Sequence, residues 1–150
     1  MESSALAEWT RAGADDGPWE KPLLLEGLRV LVVDDDPEAR EAIAAVLEEQ
    51  GAVVTPVASA GAGLKAIGWR MPDVLVSDIA MPGTDGHMFI RRVRALDTAR
   101  GGGTPAAAVT AYATPADQTR ALLAGYQTYL AKPFEPDELV AMVARLAGRD

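Results

Sequence analysis

Two patterns of hydrophobic and polar residues alternate along residues 27–150. Short apolar runs, such as LRVLVVD at 28–34, are each followed by a stretch with helical spacing of its apolar residues. An apolar run without polar alternation is typical of a strand buried on both faces, as in a parallel sheet. The patterns predict strands at 28–34, 52–58, 72–78, 105–111 and 126–134, and helices at 36–51, 59–70, 85–99, 114–125 and 135–149.

Cap and turn residues mark the ends of several predicted elements. Asp36 suits the N-cap of the first helix with Pro37 in its first turn, and Thr114 with Pro115 suits the start of the fourth. Pro56 cannot donate a ladder hydrogen bond, so the second strand is predicted near a sheet edge. The second helix is predicted to be weak because it contains Gly61, Gly63 and Gly68. Inward-facing candidates are Ala39, Ile43, Val46 and Leu47 in the first helix and Met88, Val93 and Leu96 in the third.

Five strand–helix units predict one α/β domain at 27–150. The expected fold is a doubly wound, flavodoxin-like one with three layers, in which a five-stranded parallel sheet lies between two layers of helices. Residues 1–26 are predicted to be an N-terminal tail or linker, because 1–22 mix Ser, Gly, Pro and acids with little periodicity. Trp9 and Trp19 are unusual in such a segment, and they are candidates to dock on the domain or on a neighbouring one.

Composition excludes several classes of function. A net charge of −8 argues against nucleic-acid binding through phosphate contacts. The absence of cysteine excludes disulfides and thiol chemistry, and the single His87 excludes a multi-histidine metal site. No apolar run reaches the ~18 residues of a membrane span, and the N-terminus has no secretory signal pattern. The expectation is a soluble cytoplasmic protein that binds neither nucleic acid nor membrane directly.

Chemically active side chains follow the predicted strands. In a doubly wound sheet, the ligand site lies beyond the carboxyl ends of the strands. The residues that the strands bring to this edge are Asp34, Asp35 and Asp36 after the first, Ser59 after the second, Asp78 in the third, Thr110 in the fourth and Lys132 in the fifth. Crowded carboxylates need a counterion, and oxygen ligands that leave room for water favour Mg²⁺. A magnesium ion, an ammonium and a hydroxyl can together surround a phosphoryl group, which a carboxylate such as Asp78 can accept.

Each of these residues also has a simpler interpretation when it is considered alone. Asp78 could cap a turn or the following helix. Thr110 could be a β-branched strand residue, and Lys132 could be a solvated loop charge. The case for chemistry therefore depends on their joint arrangement.

Four stretches of the chain resemble receiver domains of two-component response regulators. They are VLVVDDDP (30–37), PDVLVSDIAMPGTDG (72–86), VTAYA (109–113) and YLAKPF (129–134), and the resemblance covers about residues 27–148. The run LEGLRVLVVDDDPEAR further resembles receivers that are fused to the end of hybrid sensor kinases. A stand-alone receiver and one excised from a larger protein both remain open.

The resemblance implies a role for each matched residue. Asp78 is the implied phosphoacceptor, and Thr110 and Lys132 are the implied switch hydroxyl and phosphate-binding lysine. The implied Mg²⁺ ligands are Asp35 directly, Asp34 largely through water, Asp78, and the backbone carbonyl of Ala80. Tyr129 matches the aromatic residue that swings inward on activation, although it could also be ordinary core. Asp36 is expected to cap the helix, and His87 to be a bystander at a helix start.

The implied function is that of a phosphoacceptor signalling domain. It would take a phosphoryl group from the phosphohistidine of a sensor histidine kinase or a histidine phosphotransfer protein, and then control a partner. It is not expected to be an enzyme beyond its own phosphorylation and dephosphorylation.

Two alternatives stay open at this point. Haloacid-dehalogenase-type phosphohydrolases use an Asp-x-Asp pair after a strand, as Asp34 and Asp36 could form, but the acids that should end their site, Asp137 and Glu138, lie in a predicted helix. A degenerate receiver that serves only as a docking module is the other alternative.

Overall fold

The fold is described for residues 23–81 and 85–149 by a computed structural model, in which parallel strands alternate with α-helices. The strands are β1 (Arg29–Val33), β2 (Val53–Val57), β3 (Val74–Asp78), β4 (Ala106–Thr110) and β5 (Thr128–Ala131). The helices are α1 (Pro37–Glu49), α2 (Ala60–Arg70), α3 (Gly86–Arg94), α4 (Pro115–Ala124) and α5 (Pro136–Leu146). The predicted doubly wound α/β fold is confirmed.

The five strands form one parallel sheet in the order β2-β1-β3-β4-β5. The chain runs outward from β1 to β2 and then returns to β3 on the other side of β1, so the strand order reverses between β1 and β3. Pro56 lies in β2 at a sheet edge, as predicted. Asp78 is in register with Val109, and Thr110 with Ala131, so the carboxyl ends of β3, β4 and β5 are nearly level.

A hydrophobic cluster covers each face of the sheet. One side of the strands packs against α1 and α5, and the other packs against α2, α3 and α4, which gives the predicted three layers. Fully buried members of the first cluster are Val32, Leu47, Val74 and Val143, and those of the second are Leu31, Ile67, Phe89 and Ile90.

The predicted helix caps are confirmed. The Asp36 side chain accepts a hydrogen bond from the Glu38 backbone N–H at 3.1 Å, and Pro37 begins α1. Thr114 forms a reciprocal capping box with Asp117 at the start of α4. These bonds satisfy backbone donors that a helix leaves without partners in its first turn.

The third helix differs from its prediction in length and in one buried residue. It ends at Arg94, and a separate 3-10 turn over Thr98–Arg100 begins at Asp97, whose side chain accepts from the Arg100 N–H at 3.1 Å. Met88 was predicted to face inward, but it is 43% exposed. Val93 is fully buried as predicted, and it shares the inward stripe with Phe89 and Ile90, which are also fully buried.

A turn before β1 contributes to the core. Leu25 is fully buried, and its N–H donates to the Gln50 carbonyl at 2.9 Å. Arg149 donates to the Glu26 carbonyl at 2.7 Å. Residues 23–26, which the sequence pattern assigned to the tail, therefore pack on the domain, while the prediction for 1–22 lies outside the described residues.

Candidate functional site

Three carboxylates meet at the carboxyl edge of the sheet. One side-chain oxygen each from Asp34, Asp35 and Asp78 lies within 4.8 Å of the other two. Asp34 is 1% exposed and Asp78 is 8% exposed, whereas Asp35 is open to solvent. Two carboxylates of the group are therefore buried, and the third lies at its solvent-exposed rim.

Local backbone geometry fixes Asp34 at the end of β1. Its N–H donates to the Val57 carbonyl at 3.1 Å, and its Oδ1 accepts from the Asp36 N–H at 3.0 Å. The Arg40 guanidinium on α1 donates to the Asp34 carbonyl at 2.9 Å. This leaves the other carboxylate oxygen, Oδ2, to face the neighbouring strands.

Lys132 follows β5 and brings the opposite charge to the two buried acids. Its Nζ lies 3.2 Å from Asp34 Oδ2 and 3.7 Å from Asp78 Oδ1. Its backbone N–H donates to the Thr110 carbonyl at 2.8 Å, which ties the start of this loop to β4. One ammonium thus lies near two of the three grouped carboxylates, and the site keeps an excess of negative charge.

The fold alters the ionisation of Asp78. Burial raises the pKa of its carboxyl above the ordinary 3.8, Lys132 lowers it, and the adjacent Asp34 raises it. The net shift is upward, because burial in the apolar sheet disfavours the charged form more than the neighbouring ammonium favours it.

Thr110, Tyr129 and Ala80 lie where the sequence predicted them. Thr110 is 2% exposed at the end of β4, and its Oγ1 accepts a hydrogen bond from the Tyr112 N–H at 3.0 Å. Tyr129 is half-buried in β5 and packs against the cluster on the α2–α4 side. Ala80 is exposed two residues after Asp78, at the rim of the acid group.

The donor set fits Mg²⁺. Carboxylates and a backbone carbonyl are hard oxygen ligands, and the exposure of Asp35 leaves room for the waters that Mg²⁺ usually retains. Among the described residues, the group contains no thiolate or imidazole ligand that would favour a softer metal.

Two supporting residues were not singled out from the sequence. Gly86 begins α3 so close to β3 that a Cβ atom there would lie 2.5 Å from the Asp78 carbonyl oxygen. Tyr126 is buried before β5, and its hydroxyl donates to the Gly86 carbonyl at 2.8 Å. Gly86 follows a strand end, where a glycine in the sequence can signal a close approach of two backbone segments. Tyr126 gave no such signal, because it looked like an ordinary apolar residue of a strand.

His87 is buried as the second residue of α3, and none of the described residues hydrogen-bonds its Nε2. Burial lowers its pKa, and the nearby Arg120 lowers it further, which keeps the ring neutral. It is not one of the three grouped acids or their lysine partner, so it stays a predicted bystander.

The phosphohydrolase alternative requires Asp34 and Asp36 to act together. The described structure instead uses the Asp36 side chain as the N-cap of α1 and groups Asp34 with Asp35 and Asp78. Asp137 and Glu138 lie in the first turn of α5, as the sequence predicted. The geometry therefore does not favour this alternative.

In the described part of the chain, no helix has both the length and the apolar character needed to cross a membrane.

Similarity to known sequences covers most of the chain. Residues 30–144 match the family model described as the response regulator receiver domain. An uncharacterized 14.6 kDa protein in the sodA1 3′ region of Leptolyngbya boryana is 44% identical over 79% of this chain and 89% of its own length. Response regulator Rre1 of Synechocystis is 35% identical over 84% of this chain but only 54% of its own length. For sensor protein GacS of Pseudomonas syringae, 33% identity extends over 90% of this chain and only 15% of the relative.

Solved structures agree with this similarity. A putative response regulator from Chloroflexus aurantiacus has a TM-score of 0.76 at 35% identity, covering 83% of this chain and all of that one. The receiver domain of sensor histidine kinase PA1611 from Pseudomonas aeruginosa, with a magnesium ion coordinated in its active site cleft, has a TM-score of 0.75 at 34% identity over 81% of this chain and 98% of that one. Fold, acid group and sequence similarity lead to one conclusion: the chain belongs to the response regulator receiver domain family and is a receiver domain of two-component signalling.

Proposed function

We propose that Asp78 accepts a phosphoryl group from the phosphohistidine of a sensor histidine kinase or a histidine phosphotransfer protein. The observation that supports this most strongly is the placement of the Asp78 carboxylate, which is buried beside Asp34 and within 3.7 Å of the Lys132 ammonium. The phosphorylated domain then controls a downstream partner in the cytoplasm. It catalyses only its own phosphorylation and dephosphorylation.

Each residue of the site has a distinct task in the proposed transfer. An Asp78 carboxylate oxygen attacks phosphorus while the bond from phosphorus to the histidine nitrogen breaks, and the imidazole keeps the electron pair. Lys132 loosens its contacts with Asp34 and Asp78 and pairs with a phosphoryl oxygen. The Thr110 hydroxyl donates a hydrogen bond to another phosphoryl oxygen.

Magnesium completes the proposed site. Asp35 and Asp78 would hold it directly, with Asp34 acting largely through water and the Ala80 carbonyl as a further ligand. The bound ion supplies positive charge that offsets both the crowded acids and the phosphoryl oxygens. The magnesium-bound PA1611 receiver, which is 34% identical, supports this assignment.

Similarity to sensor kinases supports the proposed source of the phosphoryl group. The matches to GacS lie in sensor proteins, as does the PA1611 receiver, whereas Rre1 is a response regulator. The chain spans only part of Rre1 and GacS, so a receiver within a hybrid kinase and a separate regulator are both compatible with these matches.

Intact-mass measurement after incubation with acetyl phosphate and Mg²⁺ tests the proposal. The wild-type chain should gain one phosphoryl group in a magnesium-dependent way. Asp78→Asn keeps the side-chain shape but removes the nucleophile, so the gain should vanish. Asp36→Asn is the matched control, because Asn retains the capping ability of this exposed residue and should leave the gain intact.

Other outcomes would point to the two alternatives. Labelling of Asp78→Asn at the wild-type rate, with the group located on Asp34, would support the hydrolase. A wild-type chain that takes no phosphoryl group from acetyl phosphate or from a phosphorylated phosphotransfer protein would support the docking module.

A further inference from the structure

A basic groove lies at the amino edge of the sheet, opposite the acid group. Trp69, near the end of α2, is 76% exposed, and Val53, at the start of β2, is 57% exposed. Together with Arg29 and Arg70 they line a cavity of about 230 Å³. An adjoining cavity of about 510 Å³ shares Trp69 and Arg70 and adds Lys65. We call this surface, formed by Arg29, Val53, Lys65, Trp69 and Arg70, the Trp69 groove.

The groove has the opposite charge to the rest of the chain. Three cationic side chains line its two cavities, and no acidic residue of the described chain does so. The net charge of the whole chain is −8. The Arg70 guanidinium lies over one face of the Trp69 ring, 4.9 Å from its centroid, so a cation and the remaining aromatic surface occupy the same patch. Such a surface suits an occupant that combines carboxylates with an apolar ring.

We propose that residues 14–22 of the same chain, ADDGPWEKP, dock in the Trp69 groove. This segment carries Asp15, Asp16 and Glu20 to pair with the three cations of the groove. It also carries Trp19, whose ring would cover the exposed surfaces of Trp69 and Val53.

The described chain begins at the same edge of the sheet as the groove. Leu24 donates to the Gln50 side chain at 3.4 Å and Gly27 donates to the Gly51 carbonyl at 2.9 Å, which fixes the turn at the amino ends of β1 and β2. Leu23 precedes Arg29 by six residues, which span at most ~20 Å. A short tether of this kind gives an effective concentration on the order of millimolar, so even a weak contact would be populated.

Docking would also protect the open edge of the sheet. Among the described strands, β2 pairs with β1 alone, and its exposed start could otherwise pair with a strand of another chain. The acid group lies at the other end of the strands, so the docked segment leaves the proposed phosphorylation site accessible.

Paramagnetic relaxation in the full-length chain tests the proposal. Because the chain has no cysteine, Ala14→Cys provides a single site for a nitroxide label. The amide peaks of Val53, Thr55 and Trp69 should lose intensity and regain it when the nitroxide is reduced. Lys65→Glu with Arg70→Glu should abolish that loss, because the reversed charges repel Asp15 and Asp16.

Arg91→Glu with Arg92→Glu is the matched control, since it reverses two exposed charges on α3 and should leave the loss unchanged. Unchanged amide peak positions away from the substituted residues would show that each variant is folded. The proposal would be overturned if the spin-labelled chain without charge reversals showed no loss of peak intensity at the groove. It would also be overturned if the loss of intensity were centred on Asp34 and Asp78. If the loss persists fully when spin-labelled and isotope-labelled molecules are separate chains in one mixture, the occupant is a second copy and the proposal fails.

Discussion

Asp78 combines two properties that oppose each other at the level of a single residue. Its position at the end of β3 exposes it to a phosphoryl donor, but its burial beside Asp34 disfavours the ionised form that a nucleophile needs. The site therefore depends on positive charge, part of which Lys132 supplies at 3.7 Å. A bound cation at the acid group would complete that compensation.

Removing the charge of Asp78 should stabilise the metal-free protein. Its pKa in the fold is raised above 3.8, so its contribution to stability is present below pH 3.8 and is lost as the pH rises through the folded-state pKa. Asp78→Asn should thus raise the melting temperature at pH 7 in EDTA. The expected rise is roughly 3–6 °C for each kcal/mol of unfavourable charge burial that the substitution removes. The gain should shrink as the pH falls toward 4. Asp36→Asn should show no such gain, and a destabilised Asp78→Asn at pH 7 would contradict the origin given for the raised pKa.

At the residue scale, the sequence predicted the position of a site residue wherever its side chain lies at the end of a strand. Asp34, Asp35, Asp78, Thr110 and Lys132 could all be placed at one edge because parallel strands end together. The Tyr126 hydroxyl bond to Gly86 joins residues 40 positions apart. No local pattern marks such a contact, because its partner is a backbone carbonyl.

The second helix shows what local propensity alone does not reveal about an element. Its three glycines predict a weak helix, but Gly63 is closely packed whereas Gly61 and Gly68 face open space. A Cβ at Gly63 would lie 2.9 Å from the Phe89 ring and 3.1 Å from Val33, so this glycine lets α2 approach α3 and the sheet. Nothing lies within 4 Å of a Cβ at Gly68.

Alanine substitutions in α2 should therefore have opposite effects on stability. Gly68→Ala should increase the free energy of unfolding by about 0.5–1 kcal/mol, because alanine restricts the unfolded chain and favours the helix. Gly63→Ala should lower it by roughly 1–3 kcal/mol, the usual cost of overpacking a core. Urea unfolding of both variants checks the difference in sign. Equal effects at the two positions would mean that α2 does not pack closely against Phe89.

The β4–β5 region is where the proposed switch would act. Thr110 Oγ1 now accepts from the Tyr112 N–H, so a hydroxyl that turns toward a phosphoryl group must release the loop after β4. Adding beryllofluoride, a phosphoryl mimic, with Mg²⁺ should shift amide resonances from Thr110 to Leu130, as expected for a change between two packings. Thr110→Ala should confine the shifts to the loops around Asp34 and Asp78. Shifts confined to those loops in the wild-type domain would refute the switch at Thr110 and Tyr129.

Across the whole molecule, the pattern of the sequence was sufficient for the layers but not for the contacts at the start of the domain and the end of α3. Alternating strands and helices determine the doubly wound sheet. The burial of Leu25 depends on contacts with Gln50 across the fold, which hydrophobic spacing does not encode. Arg94, the last residue of α3, likewise makes distant contacts, since it donates to the carbonyls of Thr104 and Gly125.

Magnesium should stabilise the domain without changing its tryptophan fluorescence. Mass action raises the melting temperature when Mg²⁺ binds only the folded acid group, and Asp35→Ala should remove that response. Trp69 lies at the amino edge, and the five residues of β3, at ~3.3 Å each, separate that edge from Asp78 by roughly 15 Å. Trp19, if docked in the Trp69 groove, lies equally far away. A large emission change on adding Mg²⁺ would place a tryptophan near the acids. Trp9→Phe with Trp69→Phe leaves Trp19 as the one tryptophan, because the chain has three. A signal that survives both substitutions must come from Trp19 and would contradict the docked position of the segment.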